Sequence, residues 1–273
     1  MKKTFIFAII AIFSISVLNA QVDSTSAGQN SVAVKDTAVA VTKTKKSTAV
    51  KVVKAAKHYD LSHRPIDHFL FQFGYMGWAG QGDNYALKGF SREFNAAFMM
   101  DYAFKSNPHY SFGYGIGYAS DNAFMNGKYT DITSTASTVL PPLTTNNGSG
   151  NEFRKFKIAF NYLEIPLELR YSANAENPDK AFRIAIGVKG GWLCNVHSKG
   201  KGEINSAGQS VSSNNIEKEY SKRYFNTFRA AATLRFGWKF VNLYGTYQLT
   251  PLLKSNAGPT LNPYSVGVGL GIM

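Results

Sequence analysis

The chain has 273 residues, of which 44% are hydrophobic, 14% aromatic and only 17% charged, with 24 glycines. Soluble domains carry ~25% charged residues, and so aromatic and glycine-rich a blend excludes a coiled coil, a collagen and a wholly disordered chain. A mean hydropathy of −0.18 argues against a bundle of membrane helices, whereas a net charge of +13 raises the question of a nucleic-acid partner.

The first segment answers that question. Lys2 and Lys3 precede an apolar run from Phe5 to Leu18, and Ala20 is a small residue before Gln21. A short basic start, a brief apolar stretch and a small residue at the cut describe a secretory signal peptide over residues 1–20. No cysteine follows it to carry a lipid anchor, and an exported chain has no intracellular nucleic acid to bind. Cys194 is the sole cysteine, so no intrachain disulfide can form.

Residues 21–57 contain Ala, Val, Ser, Thr and Lys and no aromatic residue. Lys35, Lys43, Lys45, Lys46, Lys51, Lys54 and Lys57 face only Asp23 and Asp36. Such a composition buries too little apolar surface to offset ordering entropy, and it reads as a disordered basic tether. It serves as a spacer or as a dock for an acidic periplasmic partner.

From Ile66 the period is two. Phe69, Phe71, Phe73 and Tyr75 alternate with small or polar residues, as do Phe94 to Phe104 and Tyr110 to Tyr118. Leu163 to Tyr171, Phe182 to Trp192, Phe228 to Trp238, Val241 to Leu249 and Tyr264 to Ile272 repeat the pattern, giving eight strands. Each has one large apolar face and one small or polar face. Aromatic residues recur at strand ends, and the runs approach the ~9–11 residues of a tilted membrane strand. Connections alternate between short turns (105–108, 172–180, 240–242) and long loops (80–90, 121–152, 198–222, 251–262). This describes an all-β fold over 58–273: an eight-stranded antiparallel outer-membrane β-barrel with both termini in the periplasm, its outer face against lipid. Phe156, Ile158 and Phe160 are out of phase with Leu163 onward, which predicts a β-bulge near Asn161–Tyr162 or a strand running past the bilayer.

The run Tyr162-Leu-Glu-Ile-Pro-Leu-Glu-Leu-Arg-Tyr171 resembles the hallmark strand of the PorT-like outer-membrane β-barrel family. The signal sequence, the Gly-Val-Gly-Leu-Gly ending and the eight-strand layout are similar too, over residues 66–273. The resemblance implies an accessory or structural role in an envelope assembly such as a protein secretion apparatus, and hence an envelope protein partner. The chain ends in Met273 rather than the terminal aromatic such barrels usually carry.

Parity assigns Glu93, Asp101, Glu164, Glu168, Arg170, Arg183, Lys189, Arg229, Arg235 and Lys239 to the lumen. An unpaired desolvated charge costs several kcal/mol, so these form an ion-pair plug. The glycines of the third and last strands leave room for the long arginine side chains. The alternative is a narrow anion or small-solute pore. A second alternative is a rim-located lipid or peptide hydrolase, but only His197 of the five histidines nears the long-loop rim. His58, Asp60 and His63 are spaced too loosely for a metal site, so neither metal nor cofactor is expected. The apolar Val139, Leu140 and Leu143 in the 121–152 loop are the candidate partner-binding residues.

Overall fold

The computed structural model describes residues 59–272 except 63, 65–66, 81–84, 88–89, 126–127, 146–150 and 206. The signal peptide and tether expected at 1–57 lie outside the described residues.

Nine strands follow one another: β1 (Asp67–Ala79), β2 (Arg92–Ala103), β3 (Tyr110–Phe124), β4 (Glu152–Ser172), β5 (Phe182–Ile204), β6 (Ser210–Tyr220), β7 (Phe228–Trp238), β8 (Val241–Gln248) and β9 (Asn262–Ile272). All pairings are antiparallel. The order β4-β3-β2-β1-β9-β8-β7-β5 closes on itself through β4–β5, making a ring of eight. Closure removes the unpaired edges that lipid cannot satisfy. β6 stands outside the ring, paired only with the upper part of β5.

The outward face is apolar around the ring. Phe69, Phe94, Tyr114, Ile165, Val188, Leu234, Leu243 and Val266 are all exposed, and many similar side chains lie between them. In water this surface would be one large apolar patch, whereas against lipid it is the expected belt. Aromatic pairs mark its rims, with Tyr110 against Tyr171 at the short-turn end and Trp192 against Phe228 at the other. The start of β1 and the end of β9 both lie at the short-turn end.

The expected loop 198–222 is instead a hairpin, since β5 continues to Ile204 and β6 occupies Ser210–Tyr220. Both its faces carry polar residues, so alternation of apolar side chains gives no sign of it. The pairing of β4 with β5 does shift between Asn161 and Tyr162. Asn161 faces Asn195 and Tyr162 faces Leu193, which leaves Cys194 as the extra residue on β5. The bulge flips β5: Lys189, Gly191 and Leu193 are buried below it, Val196, Ser198 and Gly200 above it. β4 keeps its phase, because Phe156, Ile158, Phe160 and Tyr162 all point inward with Glu164 and Glu168. What changes along β4 is the filling of the barrel, from charge to aromatic rings.

Candidate functional site

Strand alternation delivers charged side chains to the lumen, and a barrel of eight strands has room for little else. The upper layer centres on Arg229 of β7. Its guanidinium lies 2.5 Å from Asp121 and 2.5 Å from Glu164, with its Cζ 3.7 Å from the Tyr162 ring centroid. Lys189 of β5 bridges Glu93 and Glu164 at 3.3 Å each. Asn95 Nδ2 donates to Glu93 at 2.7 Å. In the lower layer Arg170 spans Asp101 at 3.2 Å and Glu168 at 2.9 Å, and Arg235 pairs with Glu168 as well. Arg64, ahead of β1, reaches Asp101 at 2.8 Å and donates to the carbonyls of Pro108 and Ala175.

Among the described residues, salt bridges join Glu93, Asp101, Glu164, Glu168, Arg170, Lys189, Arg229 and Arg235, all of which parity assigns to the lumen. Lys239 is not among them. It occupies the turn between β7 and β8 with φ 53°, where its Nζ stands 6.0 Å from the Trp238 ring. Arg183 sits at the lower rim and donates to the Lys239 carbonyl. Two residues complete the set. Asp121 falls in a segment that reads as loop, whereas β3 in fact runs to Phe124. Arg64 precedes the first strand and has no periodic signal. Among the described residues the network therefore holds five cations (Arg64, Arg170, Lys189, Arg229, Arg235) and five carboxylates (Glu93, Asp101, Asp121, Glu164, Glu168). Parity alone assigns six cations and four carboxylates to the lumen, and the observed network is balanced by Arg64 and Asp121.

Glycine makes room at two places in this network. A Cβ on Gly113 of β3 would lie 2.5 Å from Arg170 Cζ, and a Cβ on Gly191 of β5 would lie 2.9 Å from Arg229 Cγ. The glycines of β9 do something else, with Gly267 against the Gly74 backbone and Gly269 against Asn242.

Above the charges the barrel is closed by an apolar core. Phe156 and Phe160 of β4, Leu193 of β5, and Phe225, Leu253 and Leu261 from the upper loops are buried together. Phe160 and Phe225 meet edge to face at 5.0 Å. Leu140 and Leu143, expected to meet a partner, are 3% and 9% exposed in this core, which leaves only Val139 of the three at the surface. The loops interlock by hydrogen bonds: Tyr85 OH donates to Leu140 O, Leu140 N to Ala257 O, and Tyr224 OH to Ser134 O. The inside of the barrel holds separate cavities of about 50, 30 and 20 Å³. Even the first has space for only a few waters at ~10–15 Å³ each.

The hairpin beyond this cap is the most exposed part of the fold. Val211, Ile216 and Tyr220 are bare, and the outer edge of β6 pairs with nothing among the described residues. Its two faces differ in charge. On the inner side, burial and the nearby Asp131 and Glu217 raise the Glu219 carboxyl above its usual range, and burial raises the Tyr129 phenol.

A closed antiparallel ring with an apolar outer belt and a charged, filled interior defines a membrane β-barrel. The family model for the outer membrane protein beta-barrel domain matches residues 66–255, and the chain belongs to that family. Comparison with curated proteins finds no match. Among solved structures, the chain is similar to the crystal structure of Ail, the attachment invasion locus protein of Yersinia pestis. That likeness has 12% identity over 76% of this chain and 97% of Ail, at a TM-score of 0.30. The structure of Ail in a phospholipid bilayer nanodisc is similar at 15% identity, over 75% and 99%, with a TM-score of 0.29.

Proposed function

We propose that this outer-membrane barrel is a non-catalytic, non-conducting anchor that binds an envelope protein partner. The single observation carrying the reading is the β5–β6 hairpin, an exposed edge strand bearing Val211, Ile216 and Tyr220 on a barrel filled below it. An edge strand offers backbone donors and acceptors to an extended segment of another chain, with side-chain pockets setting the choice. The candidate binding surface thus moves from Val139, Leu140 and Leu143 to the hairpin. In this reading the long-loop end faces outward and both termini lie in the periplasm, where the basic tether meets an acidic partner. The PorT-like strand Tyr162–Tyr171 favours an accessory place in a secretion assembly. The balanced charges and the aromatic cap weigh against a pore. The surroundings of His197 weigh against a hydrolase, since its cross-strand neighbours are Ala159 and Tyr220, Asn195 reaches its ring, and the charges acting on it are those of Lys157, Lys199 and Lys218.

The test is purification of the tagged full chain from mild detergent, with and without residues 199–218. In the shortened chain Gly-Gly replaces them to close the Ser198–Glu219 pair as a two-residue turn, together with Tyr220→Ala. The expected result is a partner lost with the hairpin while the barrel stays folded. Retention of every partner without the hairpin sinks the reading. For orientation, Ser213→Cys in a Cys194→Ala background should react with a membrane-impermeant maleimide on intact cells.

A further inference from the structure

The lumen cations are paired, yet another group of cations is not. Above the apolar belt Lys157 of β4 lies opposite Lys199 of β5, and Lys199 lies opposite Lys218 of β6. One register step up, Lys155 lies opposite Lys201. Among the described residues no salt bridge engages any of the five. Alternation explains why the carboxylates of β6 do not help. Glu217 and Glu219 pair with Gly200 and Ser198, the residues whose side is buried, so they occupy the opposite face from Lys218. Directly opposed like charges on a sheet are destabilising, and here three stand in one row. The row continues toward β3 and β2: Lys157 Nζ donates to Asn122 Oδ1 at 2.7 Å and lies 5.7 Å from the ring centroid of Phe124 of β3, with Arg92 Cζ of β2 5.5 Å from the same ring.

We propose that this lysine row binds the anionic sugar headgroup of an outer-leaflet glycolipid. Charge complementarity calls for an anion, and height selects its carrier. Leu163 is the last exposed apolar side chain of β4 below Lys157, six positions along the strand. At ~3.3 Å per residue and a tilt of ~40°, the Lys157 backbone stands roughly 15 Å above that of Leu163. A phospholipid headgroup layer is only about 5–8 Å deep on each side. Phosphates or carboxylates borne on sugars reach the row, and a phospholipid phosphate does not. The inference rests on the long-loop end facing outward.

The test uses the folded full chain in detergent micelles containing lipopolysaccharide, with bound glycolipid counted by native mass spectrometry. Wild type should retain it. Each Lys→Gln change should weaken retention about fivefold, and Lys157→Gln/Lys199→Gln/Lys218→Gln together roughly a hundredfold, from ~1 kcal/mol per lysine at an anionic surface. Lys180→Gln/Lys239→Gln, at the opposite end, should bind as wild type. Lys218→Gln alone changes a strand outside the ring, so its loss of binding is readable even if the triple variant misfolds. The proposal fails if the triple variant folds and binds like wild type. It also fails if millimolar inorganic phosphate strips the glycolipid, or if a phosphatidylglycerol is retained equally well. Binding in micelles does not depend on orientation, whereas maleimide labelling of the hairpin does, so the two readings fail separately.

Discussion

Arg64 reaches from the chain ahead of β1 into the lower mouth of the barrel, where its Nη2 lies 2.8 Å from Asp101 Oδ2. The same guanidinium holds the carbonyls of Pro108 and Ala175 in the two neighbouring short turns. Tyr59 meets His109, and Asp60 N donates to Glu176, so residues 59–62 and Arg64 lie across that mouth as a strap. One side chain thereby ties the approach to β1 to β2 and to two turns. Arg64→Ala removes three contacts but leaves Asp101 paired with Arg170, so the cost should be about 1–3 kcal/mol rather than that of an orphaned charge. Urea unfolding in vesicles checks this, and limited proteolysis should show faster cleavage near residue 60. An unchanged midpoint contradicts the strap.

Conductance tests the two layers that fill the barrel. The wild type should give no steady single-channel current. Replacing Arg229 and Arg235 with alanine removes two of the five network cations, yet the apolar cap of Phe156, Phe160 and Phe225 remains above. That double variant should stay closed, and steady steps should need removal of residues 130–145 as well. Steady current in the wild type rejects both the plug and the cap.

Gly113 provides space that Arg170 occupies, with a Cβ there falling 2.5 Å from Arg170 Cζ. Gly113→Val should push the guanidinium off Asp101 and Glu168 and destabilise the barrel by about 2–4 kcal/mol. In an Arg170→Ala background the same change should cost much less, a coupling of about 1–3 kcal/mol in a double-mutant cycle. Additive effects would show that the two residues do not share the space.

The ring of eight is legible in the sequence because lipid demands large apolar side chains at every second position. Most of the lumen network is legible for the complementary reason, since charged residues such as Glu164 and Arg229 keep the opposite parity. The signal fails where neither solvent is lipid. β6 is solvated on both faces, so its alternation of Lys218 with Glu217 and Glu219 is one of charge, invisible to a search for apolar residues. Leu140 and Leu143 look like an exposed apolar loop until the barrel top beneath them is seen. The phase change in β4 reads as a slip because an inward aromatic and an outward one are identical in sequence. Cys194, the actual extra residue, carries no mark of a bulge.

Acid should tighten the base of the hairpin. Burial, Asp131 and Glu217 raise the Glu219 carboxyl in the folded state, so folding favours its protonated form. A raised carboxyl contributes stability that is full below its unfolded value, ~4.3, and is lost as pH rises through the folded value. Hydrogen exchange at β6, corrected for intrinsic rates, should therefore show greater protection near pH 4 than at pH 7. Glu219→Gln should flatten that dependence and raise protection at pH 7. A hairpin that loosens on acidification contradicts this assignment.

Leu140 and Val139 are adjacent, yet they separate the two roles a loop can have. Leu140 is 3% exposed and its backbone is held by Tyr85 and Ala257, whereas Val139 is 43% exposed. Leu140→Ala should cost about 2–5 kcal/mol, because it opens a cavity among residues that relax only partly. Val139→Asp should leave stability within about 0.5 kcal/mol, as surface changes do. If the loop serves only as a lid, neither change alters which proteins co-purify, provided Leu140→Ala is compared below its unfolding midpoint. Loss of a partner with Val139→Asp alone, at unchanged stability, returns the binding role to this loop and removes it from the hairpin. Unfolding curves and co-purification measured on the same two variants decide between them.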